Sequence, residues 1–342
     1  MGAKVESSYV PLDIAAAINE QGKLVQGGDT CHIEQLKNVF AWMRGFINGW
    51  YGWPNDGKSL MLDYLSVLKA KHSRWKSCMF KPENMDTIID DKKRVHIKAN
   101  RIYKNLAWTL TGKTWNKSFA IQHKCPLMTA QEEEEALFII SEFIYIIYPK
   151  DRKWNTFKEE CLYMYEKFGI DNFVLDPWYT IKLDSGERDD YRLQQAFTEA
   201  KEVAMLTNSV FNIVGHPKNL TEVKNKDGSF KIVNQFMILG GSPWDTVMDG
   251  QYSIYRPKRH EPGKSNDPTV NFINLKQRDG EIVGVERGEY NNIFLERTMR
   301  QYYFDYVNPM NGSLHHSRVG KSQVIDFSQP KKEANVTDDL PF

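Results

Sequence analysis

The sequence predicts an α/β fold with a mostly parallel central sheet, helices on its faces and β-hairpins toward the C-terminus. Two observations lead to this prediction. In the first two thirds of the chain, helical apolar periodicity alternates with short apolar runs of strand length. From residue 236 onward, the pattern changes to successive short strands. The predicted helices cover residues 32–44, 60–70 and 191–206; the predicted strands cover residues 46–51, 77–80, 171–178, 209–214, 236–239, 252–255, 270–275, 282–285 and 292–296.

The predicted elements rest on different local patterns. Residues 46–51 resemble a strand that runs directly into a glycine-containing loop, and residues 60–70 then take up the helical period. The apolar runs at 77–80, 171–178 and 209–214 suit strands that are buried on both faces. The first predicted helix has one apolar face, formed by Ile33, Leu36, Val39, Phe40 and Met43.

A further helix start is predicted at Thr129, because Thr129 and Glu132 have the spacing of a capping box. The glutamates at 132–135 fall in the first turn, where the helix dipole favours negative charge, so we interpret them as a solvated helix start and not as a metal site. The apolar stretch at 136–148 carries Glu142 and is too short to span a bilayer. It is predicted to be a buried helix.

Size and composition indicate a globular protein with one large core. The chain has 342 residues, of which 41% are hydrophobic and 26% are charged, as is usual for soluble domains. Its formal net charge of +1 gives no overall attraction for nucleic acid. A protein that binds DNA only through a local basic surface would not need a positive net charge.

The cysteines and the N-terminus suggest a cytoplasmic protein. Cys31, Cys78, Cys125 and Cys161 form no C-x-x-C pair, so neither a zinc site nor a disulfide framework is expected. Reduced thiols in a cytosol fit best. No apolar run follows the first residues, and a signal peptide is therefore not predicted.

Three regions are expected along the chain. Residues 1–44 would form an N-terminal arm that ends in a helix, and residues 45–311 the α/β domain. Residues 312–342 are polar and would form a flexible tail with an acidic tip.

The segment Gly52-Trp-Pro-Asn-Asp-Gly-Lys-Ser59 fits the phosphate-loop pattern G-x-x-x-x-G-K-S, with a predicted strand before it and a helix after it. Its glycines allow backbone N–H groups to surround phosphate oxygens. Lys58 should contact the β- and γ-phosphates of a nucleotide, and the Ser59 hydroxyl should bind Mg²⁺. The alternative is an ordinary strand-to-helix turn. The predicted nucleotide contacts are Gly52, Pro54, Asn55, Asp56, Gly57, Lys58, Ser59 and Leu60.

Three polar residues at strand ends would complete a hydrolytic site. Asp176 ends an apolar run and precedes a proline, so it is expected on a strand beside the phosphate loop, as a ligand of Mg²⁺ through water. Glu83 follows the next strand in sequence and is the candidate base that orients water. His216 ends another buried run, where it could hydrogen-bond the γ-phosphate. Each residue, taken alone, could equally be a surface or structural residue.

Several segments together resemble the DnaB-like and Twinkle-like hexameric replicative DNA helicases. The phosphate loop, the segments FKPEN and FVLDPW, and the helix that leads to VGHPK are similar to the corresponding motifs of that family, the D-P-W and H-P forms especially to phage-type members. The resemblance covers roughly residues 35–305. It implies a RecA-like P-loop NTPase core, with ATP and Mg²⁺ as cofactors, in a ring that moves 5′-to-3′ on single-stranded DNA.

The segment 275–284 looks like the K-x-R-x-G hairpin of these helicases. In the family this hairpin reaches the ATP of the neighbouring subunit. The resemblance therefore implies that Lys276 and Arg278 act in trans on the transferred phosphate. The alternative is a solvated hairpin tip. The family's N-terminal helical or primase-like domain has no counterpart here, so a separate primase is expected as a partner.

Two further segments are candidates for binding partners. The loop after His216 is basic and contains glycine, as expected of a loop that follows the DNA backbone. Its candidate DNA contacts are Lys218, Lys224, Lys226 and Lys231. The last residues resemble the acidic, Phe-ending tip of bacterial single-stranded-DNA-binding proteins, which docks on replication partners; they are Asp338, Asp339, Leu340, Pro341 and Phe342.

Other functions remain open at this point. The chain could be a RecA-like recombinase or a replication-initiator ATPase that binds DNA without unwinding it. It could also be a non-enzymatic interaction protein with a degenerate nucleotide site. A small-molecule kinase is less favoured, because a hairpin that acts in trans would then be superfluous.

Overall fold

The computed structural model describes residues 28–33, 36–89, 95–183, 189–218, 223–280, 285, 287–296, 300–307 and 314–318; at 88, 95, 189, 290–296, 303–307 and 314–318 it describes the backbone alone. The strands are β1 (Ile47–Tyr51), β2 (Ser77–Phe80), β3 (Asp86–Ile89), β4 (Val95–Lys98), β5 (Ile144–Ile146), β6 (Asn172–Leu175), β7 (Val210–Val214), β8 (Gly250–Tyr255), β9 (Thr269–Gln277), β10 (Gly288–Glu296), β11 (Gln301–Val307) and β12 (Leu314–Arg318). The α-helices are α1 (Lys58–Ser73), α2 (Asn100–Thr111), α3 (Lys117–His123), α4 (Ala130–Phe143), α5 (Trp154–Phe168), α6 (Asp189–Leu206) and α7 (Ser242–Val247).

Within the described residues, ten strands form one sheet in the order β12-β11-β10-β9-β8-β1-β7-β6-β2-β5, while β3 and β4 pair separately. All neighbours from β8 to β5 are parallel. All neighbours from β8 to β12 are antiparallel. The sheet therefore confirms the predicted α/β fold with a mostly parallel core and C-terminal hairpins. In the parallel half, the carboxyl ends of β1, β7, β6 and β2 lie at the same edge.

Apolar side chains of the parallel strands alternate between the two faces of the sheet, as the pleat requires. Trp50 and Val174 belong to a buried cluster that includes residues of α1, α2 and α4. Their sequence neighbours Tyr51 and Leu175 belong to a second cluster, which includes residues of α5 and α6. Helices thus cover both faces, which explains why these strands lack a polar face in the sequence.

A buried chain of hydrogen bonds crosses four parallel strands. The side-chain amide of Asn48 and the indole N–H of Trp50, both on β1, donate to the side-chain oxygen of Asn212 on β7, at 3.2 and 2.8 Å. The Asn212 amide donates to Asn172 of β6 at 2.8 Å, and Asn172 donates to the Ser77 hydroxyl of β2 at 3.0 Å. A one-residue slip of any of these strands would leave buried polar groups without partners, so the chain specifies the register.

Two predicted elements are wrong. Described residues between 32 and 44 make only a short turn around Leu36, followed by a bridge between Asp29 and Trp42. Phe40, Ala41 and Trp42 are consecutive and all buried, which one face of a helix cannot achieve. The strand predicted at 236–239 begins instead as a 3₁₀ turn, Gln235–Met237, in which the backbone N–H of Phe236 donates to the side chain of Asn234.

Other boundaries shift. The predicted buried helix at 136–148 is the end of α4, of which Ala136, Ile140 and Phe143 are buried, followed by β5. The capping box is confirmed, with Thr129 and Glu132 bonded reciprocally. Strand β12 pairs with β11, so the sheet extends beyond the boundary predicted at residue 311. The predicted strand at 282–285 lies outside the described residues except Val285, and the acidic tip at 338–342 lies wholly outside them.

No helix in the described ranges is long and apolar enough to cross a membrane. All four cysteines are free thiols, and Cys31, Cys78 and Cys161 are buried.

Replacing Asn212 by leucine tests the buried polar chain. The variant keeps the number of side-chain heavy atoms and their branched connectivity but leaves the donors of Asn48 and Trp50 and the acceptor of Asn172 without their partner. We expect the free energy of unfolding to fall by at least about 3 kcal/mol, since three buried groups lose their partner and each costs about 1–3 kcal/mol. Urea denaturation measures this, with exposed Asn100→Leu as the matched control. Equal stability of the two variants would contradict the structural role of the chain.

Candidate nucleotide-binding site

The carboxyl ends of the parallel strands meet at a cavity of about 750 Å³. Its volume suits a nucleotide-sized ligand. Of the predicted nucleotide contacts, Gly52 and Asp56 do not line the cavity, whereas the other six do. The residues that line it are Pro54, Asn55, Gly57, Lys58, Ser59, Leu60, Asp63, Lys81, Glu83, Asn84, Ile102, Asn105, His216, Arg256, Ser265, Asn266 and Arg300.

The loop between β1 and α1 has the conformation that its glycines permit. Gly52 has φ 147°, and a Cβ there would lie 2.4 Å from the carbonyl oxygen of Ile254. Gly57 has φ 102°, a region that L side chains rarely adopt. Helix α1 then begins at Lys58, so its free N–H groups face the cavity and favour an anion there.

Lys58 is buried and folds back onto its own loop. Its Nζ donates to the carbonyl oxygens of Gly52 and Trp53, at 2.8 and 3.1 Å. Burial lowers the pKa of Lys58, while Asp176 and Asp56 act in the opposite direction. A phosphate would offer this ammonium a charged acceptor in place of two carbonyls.

Two arginines from the segment between β8 and β9 contact the loop, and neither was predicted from the sequence. Arg259 donates to the carbonyl of Pro54 at 2.6 Å and pairs with the Asp56 carboxylate at 2.7 Å. Arg256 lies 3.5 Å from the carbonyl of Asn55. Burial raises the pKa of Asp56 to about 6, although Arg259 and the backbone N–H of Trp53 oppose the shift. Asp56 is thus a buried anchor of the loop.

Asp176 lies directly after β6 and is 3% exposed. The expectation that its strand is the immediate neighbour of β1 is wrong, because β7 lies between them. Its Oδ2 atom is buried and, among the described residues, accepts no hydrogen bond. Lys81 Nζ lies 3.5 Å from that oxygen. A buried carboxylate oxygen without a hydrogen bond beside a phosphate loop fits a Mg²⁺ site.

Glu83 and His216 line the same cavity from the ends of β2 and β7. Tyr179, which follows Asp176 closely, donates a hydrogen bond to Glu83 and packs edge-on against His216 with ring centroids 5.2 Å apart. Burial and the nearby Asp176 raise the pKa of Glu83. Burial, assisted by Lys58, lowers the pKa of His216 to about 4, so its ring is neutral at pH 7.

Lys276 and Arg278 lie elsewhere. Lys276 pairs with Gln251, near the start of β8, and its ammonium binds the carbonyl of Asp245. Arg278 pairs with the buried Asp249 at 2.8 Å, and Asp249 in turn accepts from the backbone N–H of Ile47, the first residue of β1. Both cations are therefore at the amino edge of the parallel strands, opposite the phosphate loop of their own chain.

The basic loop after β7 packs beside the phosphate loop. Lys218, Lys224 and Lys226 are exposed, and Lys231 is half-buried. The Lys231 carbonyl accepts from the Trp53 indole N–H at 2.8 Å. Phe230 contacts the ring of Trp53 with centroids 6.0 Å apart. The loop that we expected to follow DNA is thus attached to the loop expected to bind phosphate.

The pKa of His216 predicts a pH dependence of stability. Its folded-state pKa, about 4, lies below the usual 6.5, so between these values the unfolded chain binds more protons. His216 therefore destabilises the fold as pH falls through this window. We expect the loss of unfolding free energy between pH 7 and pH 5 to be smaller in His216→Asn than in the wild type. Urea denaturation at both pH values measures this, with exposed His96→Asn as the control; identical slopes in all three proteins would refute it.

Comparisons with known proteins support the fold. A solved ATPase domain matches with a TM-score of 0.64 and 13% identity, covering 84% of this chain and 96% of that one. A structure of a DnaB-like replicative helicase, described together with its interactions with primase, matches with a TM-score of 0.62 and 13% identity, covering 85% of this chain and 67% of that one. No family model and no curated protein matches the sequence.

At this level of identity the likeness concerns the fold. The resemblance to DnaB-like helicases in short motifs is thus matched by a structural resemblance over most of the chain. The chain thus has the fold of these two solved structures, in agreement with the α/β core expected from its motifs.

Proposed function

We propose that this chain is an ATP-dependent DNA helicase motor, which moves along single-stranded DNA as a hexameric ring during replication. One observation carries the proposal: the predicted nucleotide residues meet at one edge of the sheet, and the two predicted trans-acting cations lie at the other edge. A site completed by a neighbouring subunit requires this separation, because a residue cannot serve the next protomer while it faces its own nucleotide.

At the nucleotide edge each residue has a chemical task. Lys58 and the N-terminus of α1 would bind the phosphates, while Ser59 and Asp176 would hold Mg²⁺, which neutralises charge on the transferred phosphoryl group. Glu83 would orient the attacking water and accept its proton, for which a raised pKa is suitable. The neutral His216 would hydrogen-bond the γ-phosphate.

At the opposite edge, Arg278 would reach the γ-phosphate that is bound to the next subunit. Its pairing with Asp249 leaves 44% of its side chain exposed, so the guanidinium is accessible from outside the protomer. An arginine supplied in trans stabilises the negative charge of the transition state. Lys276, which is bonded to a backbone carbonyl, would act beside it.

DNA and partner proteins would bind elsewhere on the chain. The exposed lysines at 218, 224 and 226, with Lys231, would follow the phosphate backbone without reading sequence. The acidic tip at 338–342 would dock on replication proteins, and a separate primase would supply primers. These assignments rest on the motifs and on the fold resemblance.

Replacing Glu83 by glutamine separates binding from hydrolysis. The variant keeps the shape of the side chain but cannot accept a proton, so we expect ATP turnover to fall about 10²–10⁴-fold with little change in nucleotide affinity. Lys58→Ala, the comparison variant, should lose affinity as well. Fluorescent-nucleotide binding and phosphate release measure the two effects. Full turnover in Glu83→Gln would assign the water to another residue.

Mixed rings test the proposed sharing of sites. Arg278→Ala should lower turnover by roughly 10³–10⁵-fold while nucleotide binding persists, and neither it nor Lys58→Ala should unwind a forked duplex. In an equal mixture of the two variants, about a quarter of the interfaces would join an intact Lys58 to an intact Arg278. We therefore expect ATP hydrolysis to reappear on mixing.

The same assay distinguishes the alternatives. Recovery on mixing is impossible for a monomer, so its absence would contradict the shared site. Wild-type protein whose ATPase is stimulated by single-stranded DNA but which does not open the fork would instead be a recombinase or an initiator. Unchanged turnover in Arg278→Ala would reduce the proposal to a generic nucleotide hydrolase.

A further inference from the structure

Four charged side chains form a row of alternating sign: Arg300, Asp63 and Lys81 line the cavity, and Asp176, which does not line it, lies against Lys81. Arg300 lies 3.6 Å from one oxygen of Asp63, and Lys81 lies 2.5 Å from the other. Lys81 also lies 3.5 Å from Asp176. Asp63 belongs to helix α1, one turn after Ser59, and Lys81 directly follows β2. The set therefore links the predicted metal ligand to the helix that carries the phosphate loop.

Lys81 is shared unequally between the two carboxylates. Its side chain is 1% exposed, so water hardly solvates the ammonium, and a carboxylate must balance its charge. Asp63 holds it at hydrogen-bond distance, whereas Asp176 makes only the longer contact and its Oδ2 atom keeps no hydrogen bond within the described part of the chain. Because Arg300 contacts the second oxygen of Asp63, that carboxylate is held from both sides.

We propose that Asp63 is a positioning residue for the metal site: it holds the Lys81 ammonium and thereby leaves the Asp176 carboxylate open to a divalent cation. The inference rests on the proposed function, in which Asp176 serves Mg²⁺. The Lys81 ammonium and the divalent cation compete for the Asp176 carboxylate. Without Asp63, Lys81 has Asp176 as its remaining charged partner, and the cation loses both a ligand and a nearby negative charge.

Direct measurement of metal binding tests this role. Mn²⁺ binding to the full chain in the presence of ADP can be followed by electron paramagnetic resonance with protein in excess. Asp63→Asn should weaken Mn²⁺ binding on the order of tenfold, as expected when a single charge is removed from a partly buried site. Lys81→Met should strengthen it. The double variant Asp63→Asn with Lys81→Met should return toward the wild-type affinity.

ADP binding in EDTA separates positioning from misfolding. Loss of a negative charge from the cavity should leave metal-free ADP binding in Asp63→Asn unchanged or tighter, whereas a damaged fold would weaken it. Glu133→Gln is the matched control, since it removes a carboxylate that pairs with Lys104 at 2.7 Å and does not line the cavity. It should leave Mn²⁺ binding unchanged.

Several outcomes would overturn the inference. Unaltered Mn²⁺ affinity in Asp63→Asn would do so, and so would a double variant as weak as Asp63→Asn alone, because Lys81 would then not be the competitor. If Asp63→Asn does not fold, unchanged affinity in Lys81→Met decides against it. The proposed function survives such a result if the wild-type protein still binds Mn²⁺ and hydrolyses ATP. If the wild-type protein binds no Mn²⁺ in the presence of ADP, both the role of Asp63 and the proposed function are contradicted.

Discussion

The register of the parallel strands is the constraint on which the rest of the molecule depends. Four parts of the candidate site follow four different strands: the phosphate loop, His216, Asp176 and Glu83. They come close together only because those strands end at the same edge of the sheet. Apolar side chains alone would tolerate a slip, since both faces are covered. The hydrogen-bonded chain from Asn48 through Asn212 and beyond removes this freedom.

Much of the fold and the nucleotide edge could be predicted from local sequence. A phosphate loop has a fixed spacing, and short apolar runs that end in Asp176 or His216 identify carboxyl strand ends without knowledge of the partners. The helix predicted at 32–44 was wrong because helical spacing of apolar residues does not show which parts of the fold bury them. Here Phe40, Ala41 and Trp42 are all buried, although they would point in different directions from a helix. The order of strands was equally inaccessible, and so the position of β7 between β1 and β6 was missed.

The residues that the sequence did not reveal are those whose role is defined by contacts across long separations. Arg259 pairs with Asp56 of the phosphate loop from 203 positions away, and no motif marks Arg259. Arg300, Asp63 and Lys81 come from three separate elements. Charged residues of this kind look like solvated surface in a sequence, because burial of a charge depends on partners that only the tertiary fold supplies.

The contact between Phe230 and the phosphate loop has a mechanical consequence. Phe230 lies against Trp53 on one side and beneath the guanidinium of Arg259, 4.5 Å away, and Arg259 also grips Asp56. Any displacement of the lysine-bearing segment must therefore either carry the loop along or break an aromatic and a cationic contact. A force on this segment at the protein surface would therefore be transmitted through a few side chains to the backbone amides of the phosphate loop.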